Sequence, residues 1–274
     1  MPLSRGLRCT LVSVFYSLGS FSANCIAQSE AVSTPEANPG RPTVSTPATL
    51  TPVGYLQFEN GILYAQDSTE FSSRFGVNQV TKLTVHPRLQ LILQSEPLVG
   101  SAAAGQHAWQ VGGVSAGVQG VLLPGDETRP TISVSYFRSV YSGPAPDIDI
   151  GSSRQSALVL ISKDLFGFHF DTNGIFNEQV AGIGRRAQYG QTLSVSRALK
   201  KFTLAGEIWH FTQPFLHGNT VGNLWAVSYT LRSNLVLDAG FNRGFDATST
   251  RWEAFIGFTY LLPHRLWKTQ TSHP

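Results

Sequence analysis

Cysteine is almost missing from this chain, and the two that occur, Cys9 and Cys25, both fall within the first 25 residues. A disulfide framework or a cysteine-ligated metal site is therefore excluded from everything downstream. Charged side chains are also scarce, at 14% of 274 residues, where a soluble domain carries about 25%. Such a chain has little surface meant for water. No apolar run approaches the ~18 residues of a membrane-spanning helix. The net charge of +3 falls by two when Arg5 and Arg8 are set aside. No basic stripe with interleaved aromatics is present, so nucleic acid is not an expected partner.

The first 27 residues read as a secretory signal. Arg5 and Arg8 stand before an apolar stretch from Cys9 to Phe21, and Cys25-Ile26-Ala27 forms a small-x-small cleavage site before Gln28. A lipoprotein modified at Cys25 is the weaker alternative, because Asn24 stands where a small residue is wanted. From Gln28 to Val53 the composition shifts to Ser, Thr and Ala with Pro35, Pro39, Pro42, Pro47 and Pro52. With so few apolar side chains to bury, residues 28–53 are expected to be a disordered periplasmic linker. A plug entering the folded domain is the sharper alternative.

What fills residues 54–262 is alternation. Trp252, Ala254, Ile256, Phe258, Tyr260 and Leu262 form an apolar file, while Arg251, Glu253, Gly257 and Thr259 form the other. Leu89, Leu91 and Leu93 against Gln90 and Gln94 read the same way, as do Leu235, Leu237, Ala239 and Phe241 against Asp238, Gly240 and Asn242. A period of two means β-strands with two chemically different faces. About twelve strands are expected, at residues 55–65, 71–85, 88–94, 112–123, 131–141, 154–162, 166–176, 189–196, 202–211, 223–231, 234–244 and 251–262. Their connections alternate between short and long, Pro97 to Ala108, Ser142 to Ser153 and Asn177 to Gln188 being among the long ones. Short turns on one side, long loops on the other and an even strand count predict an all-β fold, an antiparallel up-and-down transmembrane β-barrel in the bacterial outer membrane. Residues 263–274 form a polar C-terminal tail. A secreted soluble β-sandwich would also alternate; the signal and the loop pattern favour the barrel.

Three stretches carry a family resemblance: Leu83 to Leu91 (LTVHPRLQL), Asp238 to Phe245 (DAGFNRGF) and Phe255 to Tyr260 (FIGFTY). They resemble the outer-membrane transporter family labelled for the meta-pathway of phenol degradation. That resemblance implies a barrel passing small solutes, hydrophobic or aromatic ones among them. The polar tail after Leu262 departs from barrels that finish on an aromatic residue read by the outer-membrane assembly machinery. Expected partners are thus membrane lipid, a small-molecule solute and that machinery. A structural or adhesive barrel with a closed lumen is the runner-up.

Alternation also assigns the lumen. Arg74, Lys82 and Arg88 are expected to point inward from early strands, and Asp171, Glu207, Asp238 and Glu253 from later ones. Opposed across a cylinder, they would set a transverse field, basic on one wall and acidic on the other. The blander expectation is that these charges pair locally. Tyr55, Tyr64, Tyr141, Phe166, Trp209, Phe211, Trp225 and Tyr260, near strand ends, are candidates for interfacial girdles.

No catalytic set, metal site or cofactor site is expected. Phe215-Leu216-His217-Gly218-Asn219 faintly resembles an acyl-hydrolase histidine segment but lacks the serine close behind the His. Asp147-Ile148-Asp149 and Asp171-Thr172-Asn173-Gly174 each supply too few oxygens for calcium.

Overall fold

The structure is a computed structural model, and it describes residues 35–147, 152–181, 183–216 and 218–267. The expected signal, residues 28–34, Ile148, Asp149, His217 and the end of the tail lie outside the described residues. Thirteen strands follow one another: β1 (Leu56–Gln66), β2 (Ser73–His86), β3 (Leu89–Ala103), β4 (Gln106–Gln110), β5 (Val114–Leu123), β6 (Thr131–Tyr141), β7 (Ser152–Leu165), β8 (Phe168–Ala181), β9 (Gly184–Leu199), β10 (Phe202–Gln213), β11 (Gly218–Arg232), β12 (Leu235–Gly244) and β13 (Trp252–Leu261). All pairings are antiparallel, and β1 pairs with both β2 and β13, so the sheet closes on itself. Strand β4 pairs only with the far half of β3, along the edge that β5 takes nearer the start of β3. The closed cylinder therefore has twelve strands, and closure leaves no open edge.

The alternation sorts the two faces. In β10, Ala205, Glu207, Trp209 and Phe211 are buried, while Phe202, Leu204 and Ile208 are exposed. In β13, Glu253, Thr259 and Leu261 are buried against exposed Trp252, Ile256 and Phe258. The outer face is thus the apolar one, the reverse of a water-soluble sheet.

Two of the expected long loops are strands instead. Residues 97–108 run on as the end of β3, a turn and β4, and residues 177–188 are the facing ends of β8 and β9. Pro97 misleads because prolines break strands, yet it lies between Ser95 and Leu98, where the register with β2 shifts past Gln79 and Val77. At a bulge no ladder N–H is required. Ala104 and Gly105 then turn the chain with φ of 49° and 78°, the paired positive angles of a type I′ hairpin. On the other side, the connections after β2, β7, β9 and β11 are two residues long and the one after β5 is seven. Both ends of the barrel sequence lie on that same side, called here the terminal end. In the turn after β5, Asp126 accepts from the Thr128 and Arg129 amides and from the Arg129 guanidinium. Those bonds hold its carboxyl well below the usual carboxylate range.

Residues 35–53 are not a free linker here; they lie inside the cylinder. Ala37 donates to the Ser233 carbonyl at the terminal end, and Gly54 donates to the Thr84 carbonyl as the chain leaves for β1. Between these points the segment contacts β1, β12, β10, β9, β8, β7, β6, β5, β3 and β2 in turn. It forms a collar around the inner wall.

Candidate functional site: the collared lumen

The collar carries almost no apolar side chains, so it is held by what the wall offers its backbone. Asn38 N donates to Gln57 Oε1 at 2.9 Å, and Gly40 N to Glu59 Oε1 at 3.0 Å. The Arg41 guanidinium sits on Asp238 at 3.3 Å. Val44 N and Ser45 N donate to the two oxygens of Glu207 at 2.7 and 2.6 Å, and Ser45 Oγ adds a third bond at 2.5 Å. Three donors thus converge on one carboxyl group. Thr46 N reaches Asn173 Oδ1 at 2.6 Å, Ala48 N reaches Ser162 Oγ at 2.7 Å, and Thr51 N reaches Gln90 Oε1 at 3.0 Å. Gln119 donates to the Pro47 carbonyl and Ser133 to that of Ala48. The prolines contribute by subtraction, since each removes an N–H that would otherwise need a partner.

The inward charges fall as follows. Lys82 is buried and paired with Glu59. Arg74 is buried, donates to Glu96 Oε2 at 2.7 Å and reaches the Pro146 carbonyl at 2.8 Å, which ties the β6–β7 connection to the wall. Asp171, Glu207, Asp238 and Glu253 are all buried. Asp171 accepts from Ser162 at 2.5 Å and lies 3.2 Å from His169, whose other nitrogen is 2.7 Å from Asp164. Glu253 accepts from Asn242 at 2.9 Å. Arg88 does not point inward. It is exposed in the two-residue connection between β2 and β3, because β3 starts at Leu89 and Pro87-Arg88 stand outside the alternation.

A basic wall facing an acidic wall is therefore not what the lumen holds. The two early cations are each matched by a neighbouring acid, Glu59 or Glu96, and Asp238 is matched by Arg41 from the collar. Glu59 shares the Gln57 file of its strand, opposite Phe58 and Ile62, and that alternation could have revealed it. Nothing in the collar's own composition could have revealed Arg41.

Trp209 and Phe211 are not girdle residues either; each is only 4% exposed. Their rings lie 6.2 Å apart inside the wall, with Trp209 Nε1 donating to Asn242. The neighbouring strands make room with glycine: a Cβ on Gly222 would stand 2.3 Å from Trp209, and one on Gly190 2.2 Å from Phe211. Tyr64, Phe166 and Trp225 are exposed, and Trp225 lies at the middle of β11 rather than near its end.

Beyond the collar, away from the terminal end, lies a cavity of about 530 Å³. Arg74, Asn78, Glu96, Ser115, Tyr141 and Asn177 are among its walls. Among the described residues no group of three metal-ligating side chains occurs.

No family model matches the sequence, and neither does any curated protein. Solved structures do match in shape. The NanC porin aligns with a TM-score of 0.52 at 10% identity, over 75% of this chain and 98% of that one. The KdgM porin in complex with disordered oligogalacturonate aligns with a TM-score of 0.50, again at 10% identity over 75% and 98%. The chain has the fold of a porin, a closed antiparallel barrel of twelve strands.

Proposed function

We propose that this chain is a bacterial outer-membrane channel for the passive passage of small solutes, with its bore set by the collar of residues 37–51. The observation that carries the reading is the closed cylinder with an apolar outside and a polar inside. Hydrocarbon suits the first and water the second, and a closed barrel satisfies every ladder bond without solvent. Membrane lipid is then the partner of the outer face, and the assembly machinery inserts the folded chain. The porin-like fold is consistent with this role. Solutes of hydrophobic or aromatic type, which the family resemblance implies, would meet a wall of Gln, Ser, Thr, Asn and carboxylates, so polar solutes suit the path better.

A second reading has a specific observation behind it. The collar is bonded to nearly every strand on its way round, which favours a structural or adhesive barrel with a closed lumen. Conductance separates the two. The full chain is refolded, checked for faster gel migration unboiled than boiled, and placed in a planar lipid bilayer. Discrete current steps support the channel. A folded, inserted and silent barrel sinks it in favour of the closed one.

A further inference from the structure

The collar meets the wall mostly through its backbone, and Arg41 is the one charged side chain between residues 37 and 53. It reaches a part of the wall that carries no side chains. Gly61 of β1 pairs with Gly257 of β13, and Gly257 pairs with Asp238 of β12, so the three stand in one row across adjacent strands. A Cβ on Gly61 would stand 2.5 Å from Arg41 Cζ, and one on Gly257 would stand 2.8 Å from its Nε and Nη2. The guanidinium therefore lies over two glycines, and at the end of the row it meets a carboxylate. Arg41 Nε and Nη2 each donate to Asp238 Oδ1 at 3.3 Å. The Phe255 ring borders the same place, its centroid 5.9 Å from Arg41 Cζ, within cation–π reach.

These surroundings suit a flat cation. A guanidinium is planar, fits closely over bare backbone and offers more than one N–H to a single carboxylate, whereas an ammonium is a compact, strongly hydrated point charge. The step before Arg41 is fitted as closely, since a Cβ on Gly40 would stand 2.6 Å from Lys82 Nζ. Glu59, two residues before Gly61, is already taken by Lys82, Gln57 and the Gly40 amide.

We propose that the row of Gly61, Gly257 and Asp238 is a guanidinium-binding site filled by the chain's own Arg41, and that this seat fixes the entry arm of the collar, residues 37–41, against the wall. The class of ligand that the site takes is an alkylguanidinium, and Arg41 is a positioning residue for the lumen. This deepens the channel reading, because the arm it holds narrows the path. Its test needs no current, so it stands even if the barrel is silent.

Arg41→Ala in the full chain, refolded and checked by its gel shift, removes the equivalent of an ethylguanidinium group. Hydrogen exchange at Asn38 and Gly40, whose amides bond to Gln57 and Glu59, should speed up by roughly tenfold, as the loss of one charge-assisted contact gives. Ethylguanidinium, added far below denaturing concentrations, should restore the slow exchange, and ethylammonium should not. Gly61→Ala probes the seat from the other side. The three atoms nearest a Cβ there all belong to Arg41, whereas a Cβ on Gly257 would also stand 2.6 Å from the Asn60 carbonyl. Gly61→Ala should speed exchange by itself, add nothing to Arg41→Ala and abolish the rescue. Exchange unmoved by Arg41→Ala, no rescue by ethylguanidinium, or equal rescue by ethylammonium overturns the proposal. Additive effects of the two substitutions overturn it as well, since Gly61 would then serve the strand and not the guanidinium.

Discussion

The two halves of the lumen have similar walls and different occupants. Toward the terminal end, the wall's carboxylates and amides meet a segment that brings N–H donors at Asn38, Gly40, Val44, Ser45, Thr46, Ala48 and Thr51. Toward the far end no such segment lies among the described residues, and buried polar atoms of Arg74, Asn78, Gln179 and Gln188 have no partner, against the hydroxyls of Ser135 and Thr259 in the collared half. Polarity of the wall therefore does not decide whether a barrel is filled. The supply of matching donors does.

The broadest way to break that comparison is to remove the occupant. Deleting residues 35–53 leaves every strand in place, so the barrel should fold and keep its gel shift. Conductance should rise by at least about twofold, as expected when a constriction is removed from a water-filled path. An unchanged conductance would mean the far end, where the β6–β7 connection is tied down by Arg74, sets the bore instead.

Pairing in the collared half can be tested through Lys82. Lys82→Met leaves Glu59 buried without its cation, a loss of about 3–5 kcal/mol for an uncompensated buried charge. Gly40 N and Gln57 still donate to Glu59, which places the expected value toward the lower end. Lys82→Met combined with Glu59→Gln should recover most of the loss. Urea unfolding of the refolded barrel in lipid reads both, and a double variant as unstable as the single one would refute the pairing account.

A narrower change sharpens the point further. Glu207→Gln keeps the shape but turns one acceptor oxygen into an NH₂ group facing the donors of Val44 and Ser45. The middle of the collar should loosen by about 1–3 kcal/mol, the cost of leaving buried donors unsatisfied. Hydrogen exchange at Val44 and Ser45 should then speed up by roughly tenfold or more. Exchange at Thr51, held by Gln90 and Thr84, should change much less. Uniform acceleration along the whole collar would mean it behaves as one unit.

Much of this architecture was legible in the sequence, because alternation is a local property of each strand. The strand from Thr131 to Tyr141 begins and ends where its alternation does. The strand ends around Pro97 and Phe166-Gly167 were not legible. There a bulge absorbs the proline, and a Phe takes φ of 55° in a tight turn, neither of which composition announces. The collar was hidden for a different reason. A segment is read by what it can bury, and this one is stabilised by side chains of ten strands, seven of which bond its backbone. Of the inward charges, those in strand interiors followed from parity, whereas Arg88 failed because a one-residue error at a strand start removes a residue from the alternation altogether.

The smallest expected effect concerns the terminal end outside the lumen, where the turn after β5 is ordered by Asp126 without any help from the collar. Its carboxyl is held below its ordinary value first by the Arg129 guanidinium, then by Thr128 and by the two backbone amides. A depressed folded-state value means the turn's contribution is present above the unfolded pKa and is lost only as pH falls through the folded one. The Thr128 and Arg129 amide resonances should therefore stay unchanged from neutrality down to about pH 4, near the ordinary aspartate pKa. They should move only in stronger acid. Asp126→Ala should shift both resonances at neutral pH while leaving collar exchange and conductance as they were, since the turn is fully exposed and touches neither. A change in conductance would show that the terminal end is coupled to the collar, and the two would then have to be treated as one element.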